Sequence, residues 1–161
     1  MAAVILVDAN LLLYAYLARS EQYASAREWL EQTLSSPYPV RLAWITILAF
    51  LRIVTDSRLS GTPFRMEEAS AVVDEWLRRP NVDILMPGER HWEILRGLLK
   101  SAQVRGPLTS DAHLAALALE HGATLCTTDR DFTRAVLRPH GTATVRERCS
   151  RLQNRAPARL T

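Results

Sequence analysis

The chain has 161 residues, 20 Lys and Arg against 17 Asp and Glu, a net charge of +3, and 48% hydrophobic residues. That length implies a single domain able to bury roughly 70% of the surface its unfolded chain would expose, a sufficient core without staples. It contains no apolar run near the ~20 residues of a membrane span, and the opening MAAVILVDAN lacks the basic region of a secretory signal and meets Asp8 early. Cys126 and Cys149 form no CxxC motif. Both are expected as thiols in a reducing, cytoplasmic setting.

The charge is uneven. Residues 130–161 hold eight arginines against Asp131 and Glu147, so that stretch carries +6 and the rest of the chain −3. Such an end suits an anionic partner, nucleic acid or an acidic protein segment.

In chain order, Ala3 to Val7 is a continuous apolar run, rich in β-branched residues, that reads as a strand buried on both faces. A short helix follows from Leu11 to Ala18. A second covers Tyr23 to Leu34, with Tyr23, Ala26, Leu30 and Leu34 at helical spacing, and Pro37 and Pro39 close it. Trp44 to Thr55 predicts a helix apolar on most sides and therefore buried. Beyond the Gly61-Thr62-Pro63 loop, Glu67 to Arg78 is an amphipathic helix. Val82 to Met86 reads as a strand and Glu89 to Ala102 as a helix. After Gly106-Pro107, an alanine-rich helix runs from Asp111 to Glu120 and stops at His121-Gly122. Thr124 to Thr127 is a strand, Thr142 to Val145 an edge strand, and Val145, Cys149 and Leu152 begin a terminal helix. Trp29, Trp44, Trp76 and Trp92 all fall on apolar helical faces and are expected in the core. Strands alternating with helices define an α/β domain with a mostly parallel sheet.

Asp8 follows the first strand, Asp129 follows the strand Thr124–Thr127, and Asp111 opens the alanine-rich helix. Ligands of open parallel sheets bind outside the carboxyl ends of the strands, where these acids fall. Asp131 supplies a fourth carboxylate two residues past Asp129. Each acid singly also fits a cap or an Asx turn. Together, clustered carboxylates repel and call for a cation, and oxygen ligands without Cys or clustered His select Mg²⁺ or Mn²⁺. Such an ion suits phosphodiester hydrolysis, activating water and neutralising phosphate charge. Asn10 and Thr127 are placed to hydrogen-bond the carboxylates. His113, close behind Asp111, reads as structural.

At these residues the chain resembles the PIN domains, specifically the VapC toxin ribonucleases of bacterial toxin–antitoxin pairs. The matching pieces are Val4-Ile5-Leu6-Val7-Asp8-Ala9-Asn10-Leu11-Leu12-Leu13, Phe50-Leu51-Arg52-Ile53-Val54-Thr55-Asp56, Asp111-Ala112-His113-Leu114-Ala115-Ala116-Leu117-Ala118 and Thr127-Thr128-Asp129-Arg130-Asp131-Phe132. The resemblance implies a three-layer α/β/α domain over residues 1–140, followed by an Arg-rich extension over 141–161. It implies an endoribonuclease using Mg²⁺ or Mn²⁺, with Asp8, Asp111, Asp129 and Asp131 catalytic and the first three of them holding metal. Arg52 and Arg130 would contact substrate, structured RNA such as tRNA or rRNA. The implied partners are a VapB-type antitoxin and a second copy of the chain.

Two departures stand out. Many PIN domains carry a glutamate shortly before the position of Arg52, whereas Ile45-Thr46-Ile47-Leu48-Ala49-Phe50 contains no acid. Relatives also end soon after the last motif, whereas an arginine-rich stretch continues here. The first departure sustains a rival of another class, an inactive PIN fold that binds RNA or protein. A haloacid-dehalogenase-like phosphatase wants a second Asp at position 10, which is Asn. A receiver domain wants a Lys after a late strand, and the only lysine is Lys100, inside a helix.

Overall fold

The computed structural model describes residues 4–129 and 145–147, the last three by their backbone. The elements are β1 (Ile5–Val7), α1 (Ala9–Tyr14), α2 (Tyr23–Leu34), β2 (Val40–Leu42), α3 (Trp44–Val54), α4 (Ser57–Ser60), α5 (Met66–Leu77), β3 (Val82–Ile84), α6 (His91–Ser101), α7 (Leu108–His121), β4 (Thr124–Thr127) and β5 (Val145–Glu147). The strands form one parallel sheet in the order β3-β2-β1-β4-β5. The chain builds outward from β1 through β2 to β3, then crosses over to lay β4 and β5 on the other side. The order reverses between β1 and β4, the place where open α/β sheets form their crevice.

Because successive strand residues face opposite sides, β1 divides the core in two. Ile5 and Val7 join a cluster with α1, α2, α3 and α5, whose heart is the ring group Tyr16, Phe50, Phe64 and Trp76. Leu6 joins the other cluster, with Leu98 of α6 and the Ala112, Ala115, Ala116 and Ala118 face of α7. The result is the expected three-layer α/β/α arrangement. Gly122 ends α7 in the left-handed region, with φ 62°, which glycine adopts without strain.

Several expectations are corrected. β2 was not anticipated; it follows directly on Pro39 and is too short for a periodic signal, yet its Val40 and Leu42 are fully buried. The short α4 turn, Ser57–Ser60, is a further element without a sequence expectation. α1 starts at Ala9, immediately after Asp8, rather than at Leu11, and ends at Tyr14. α7 starts at Leu108, because Pro107 is favourable before a first helical turn, so Asp111 lies within that turn rather than at its start. Val145 belongs to strand β5, not to a helix, while Cys149, Leu152 and residues 142–144 lie outside the described residues.

Trp29 and Trp76 are buried, but Trp44 and Trp92 are 50% and 62% exposed. They stand at the first and second positions of α3 and α6, beyond the reach of the core. Nor is α3 buried all round: Trp44, Leu48 and Arg52, four residues apart, form an exposed line along it. Cys126, fully buried in β4, is disulfide-bonded rather than a thiol. Motif spacing is silent about such pairing, which depends on which chain segments meet in the fold.

Candidate active site

β1 runs straight into Asp8, whose backbone N–H still donates to the Cys126 carbonyl of β4 at 3.0 Å. This bond carries the β1–β4 pairing one residue past the strand and locks Asp8 at the sheet's carboxyl edge. Asp8 occupies the N-cap position of α1, yet its carboxylate makes no capping hydrogen bond, so capping does not account for the residue. The N–H groups of Ala9 and Asn10 lie near enough only to favour its charged form.

The carboxylate's firm partner is Thr127, at the end of β4, whose hydroxyl donates to Asp8 Oδ2 at 2.6 Å. The same Thr127 oxygen accepts the Asp129 backbone N–H at 3.0 Å. One buried hydroxyl thus ties the end of β1 to the turn after β4. Thr127 acts as expected from the sequence. Asn10 acts on Asp8 through its backbone, and among the described residues its side chain bonds no carboxylate.

Asp8 is only 8% exposed, and burial pushes its carboxyl above the usual range, with the charge of Asp129 adding to the effect. Asp111 is pushed up to about 6 by burial, then by Asp8 and Asp129. Asp8, Asp111 and Asp129, distant in sequence, therefore share one electrostatic site across β1, α7 and β4. Among the described residues, however, no three His, Cys, Asp or Glu side chains converge closely enough to hold one ion. The coupling and the spacing are compatible: like charges in an apolar edge repel, and a cation is what would draw them together. The donor set, all carboxylate oxygen, fits Mg²⁺ or Mn²⁺.

Where an acid is missing from α3, Thr46 is buried, and its hydroxyl turns back to donate to the Ala43 carbonyl at 2.7 Å. It offers nothing to the site. Arg52 is exposed two turns further along α3, where its nearest charged influence is on Asp56. Asp131 and Arg130 lie outside the described residues.

Sequence reasoning missed a second polar cluster between α6 and α7. His91 Nε2 and His113 Nδ1 are 2.9 Å apart, and His91 Nδ1 lies 3.4 Å from Glu120 Oε2. Burial and the facing His91 hold His113 below the usual imidazole range. Three ordinary-looking residues on two helices gave no sequence signal beyond their lying at helical spacing on α7. A groove of about 270 Å³ lined by Tyr16, Arg27, Glu31, Glu75, Trp76 and Arg79 holds none of the aspartates.

Residues 5–136 match the PIN domain family, to which the chain belongs. Within that family it is similar to the Mycobacterium tuberculosis protein Ribonuclease VapC37, 40% identical over 129 residues, 80% of this chain and 90% of the relative. It is similar also to Ribonuclease VapC33 of the same species, 38% identical over 130 residues, 81% and 91% of the two chains. Its fold matches the structure of VapBC2 from Rickettsia felis bound to a DNA fragment from its promoter, with TM-score 0.60, 16% identity, and 89% and 97% of the two chains covered.

Proposed function

We propose that this protein is a VapC-type toxin endoribonuclease that hydrolyses RNA phosphodiester bonds with Mg²⁺ or Mn²⁺ at Asp8, Asp111 and Asp129. The observation that carries the reading is the placement of the three carboxylates at the reversal point of the sheet, where the charges of Asp8 and Asp129 both bear on Asp111. The names of the relatives, ribonucleases alignable over four fifths of the chain, point the same way. The bound ion supplies an activated water and neutralises charge on the phosphate. Asp8, held by Thr127, is the anchoring ligand. Asp111 and Asp129 would be further ligands, their ionised forms favoured by the cation's charge, with Asp131 as a fourth acid.

Arg130 and the exposed Arg52 contact the RNA backbone, and the arginine-rich residues 141–161 add affinity for RNA or antitoxin. The substrate is structured RNA, tRNA or rRNA, in the cytoplasm. No helix among the described residues is long and apolar enough to cross a membrane. A VapB-type antitoxin is the inhibitor, as the VapBC2 likeness suggests. A second copy of the chain is the partner for the exposed Trp44 and Leu48 of α3, since monomers rarely leave such large apolar side chains in a row uncovered.

One observation favours the inactive module instead: α3 brings no acid to the site, and the three aspartates stand too far apart as they are to hold an ion. Purified protein is therefore incubated with total bacterial RNA in Mg²⁺, Mn²⁺ or EDTA, beside Asp8→Asn. Discrete fragments that need both metal and Asp8 are expected, with the variant slower by about 10³-fold. RNA binding without cleavage in any metal would establish the module.

A further inference from the structure

The first turn of α7, which carries Asp111, is closed by backbone bonds from Thr109 N–H to the Gly106 carbonyl at 3.0 Å and from Ser110 N–H to the Pro107 carbonyl at 3.2 Å, without side-chain support. Its N-cap position, Pro107, offers no side-chain hydrogen bond, and Thr109 and Ser110 are exposed. The loop ahead of it contains two left-handed residues, Gln103 and Gly106. Among the described residues no donor reaches the Asp111 carboxylate. The site's other described acids are better secured, Asp8 by the Thr127 hydroxyl and Asp129 by its backbone bond to the same oxygen. A polar contact from α6 meets α7 just behind that turn.

The contact lies two residues on. His113 Nδ1 meets His91 Nε2 at 2.9 Å, the rings edge to face with centroids 4.7 Å apart. His91 is the first residue of α6 and only 8% exposed. Its buried Nδ1 faces Glu120 Oε2 at 3.4 Å, within ion-pair distance but without a hydrogen bond. Glu120 in turn accepts the backbone N–H groups of Gly88 and Arg90 at 3.0 Å each, doing for α6 what its own N-cap residue does not. A Cβ at residue 88 would sit 2.5 Å from Glu120 Oε1, so any larger residue there would require that carboxylate to shift. His113 and Glu120, seven residues apart, share one face of α7, so His91 is gripped from two levels of the same helix.

In the tautomer that puts the proton of His91 on Nδ1, beside the carboxylate, Nε2 accepts from His113 Nδ1–H.

We propose that Glu120, His91 and His113 form a carboxylate–imidazole–imidazole chain that positions the first turn of α7, and so sets Asp111 for cation binding. These are positioning residues and touch neither metal nor RNA. The proposal rests on the metal-site reading above. The order of events is structural: Glu120 fixes the tautomer of His91, His91 fixes His113, and His113 stands 3 Å of helix rise from Asp111, at about 1.5 Å per residue.

The test is Mn²⁺ affinity, followed by the paramagnetic resonance of the free ion, together with melting temperature without metal. His113→Leu keeps the bulk and removes the hydrogen bond. It is expected to weaken Mn²⁺ binding about tenfold, the loss typical for supports behind metal ligands, with excess Mn²⁺ recovering most of the cleavage rate. His113→Asn, which returns an N–H at the Nδ1 position, should rescue most of that affinity. A folded His113→Leu that binds Mn²⁺ like the wild type, with only a lower melting temperature, overturns the positioning role and leaves the metal site standing. Wild type that binds no Mn²⁺ overturns both readings. Should the leucine variant not fold, nitrogen-15 spectra of the wild-type imidazoles decide: Nδ1–H on both His91 and His113 is expected, and Nε2–H on either breaks the chain.

Discussion

The two helical layers flanking the sheet are built by opposite means. On one side, Phe50, Phe64 and Trp76 each meet Tyr16 edge to face, Phe50 and Trp76 are tilted together with centroids 4.7 Å apart, and the Trp76 N–H finds the Tyr16 hydroxyl at 3.2 Å. On the other, α7 presents alanines to the sheet and lies close against it. Large interlocking rings hold their layer by burial and shape. A layer of small side chains buries less area per residue, and its position depends on close approach and on polar contacts at its margins. The site straddles the two. Asp8 and Asp129 are delivered by strands, whereas Asp111 rides on the alanine-faced helix.

The aromatic side should fail through cavities. Trp76→Ala removes the largest fully buried side chain and should cost about 4 kcal/mol in denaturant unfolding, with little change in Mn²⁺ affinity of the folded protein. The alanine side should fail through crowding: Ala115→Leu, at a fully buried site, is expected to cost about 2 kcal/mol and to weaken Mn²⁺ binding by displacing α7. Equal metal affinity in both folded variants would abolish the distinction.

Thr127→Val sharpens the same contrast at the strand-borne acid. It leaves Asp8 without its 2.6 Å donor at unchanged volume, and Mn²⁺ affinity should fall about tenfold. A loss below twofold would show that the sheet alone orients Asp8.

The smallest effect concerns Asp111 in metal-free protein. Its carboxyl is raised to about 6 in the folded state from 3.8, so the folded state binds its proton more tightly than the unfolded chain does. That contribution is full below pH 4 and is lost as pH rises through 6. Asp111→Asn should therefore stabilise metal-free protein at pH 8 by about 1 kcal/mol, discounted for partial exposure, and do nothing at pH 4. Mn²⁺ should oppose the pH trend in wild type alone. A variant no more stable than wild type at pH 8 would mean that Asp111 feels no repulsion.

Much of the site was legible beforehand because the signals are local. An unbroken β-branched run followed by Asp8, and Thr124–Thr127 followed by Asp129, place acids at strand ends wherever a parallel sheet forms. The alternation of apolar strands with 3.6-periodic helices defines the layers, since each pattern can bury its apolar face in only one way. What stayed hidden depends on partners distant in the chain. β2 has three residues, and only its neighbours on both sides make it a strand. Trp44 and Trp92 read as core by helical position, but burial depends on where a helix ends relative to the sheet. The Cys126 disulfide, the coupling of Asp111 to Asp8, and the meeting of His91 with His113 and Glu120 join segments whose separation no local pattern encodes. The sequence by itself determined which residues would reach the sheet's edge, because backbone periodicity is a property of the chain. Only the tertiary structure decided which of them meet, because contact is a property of packing.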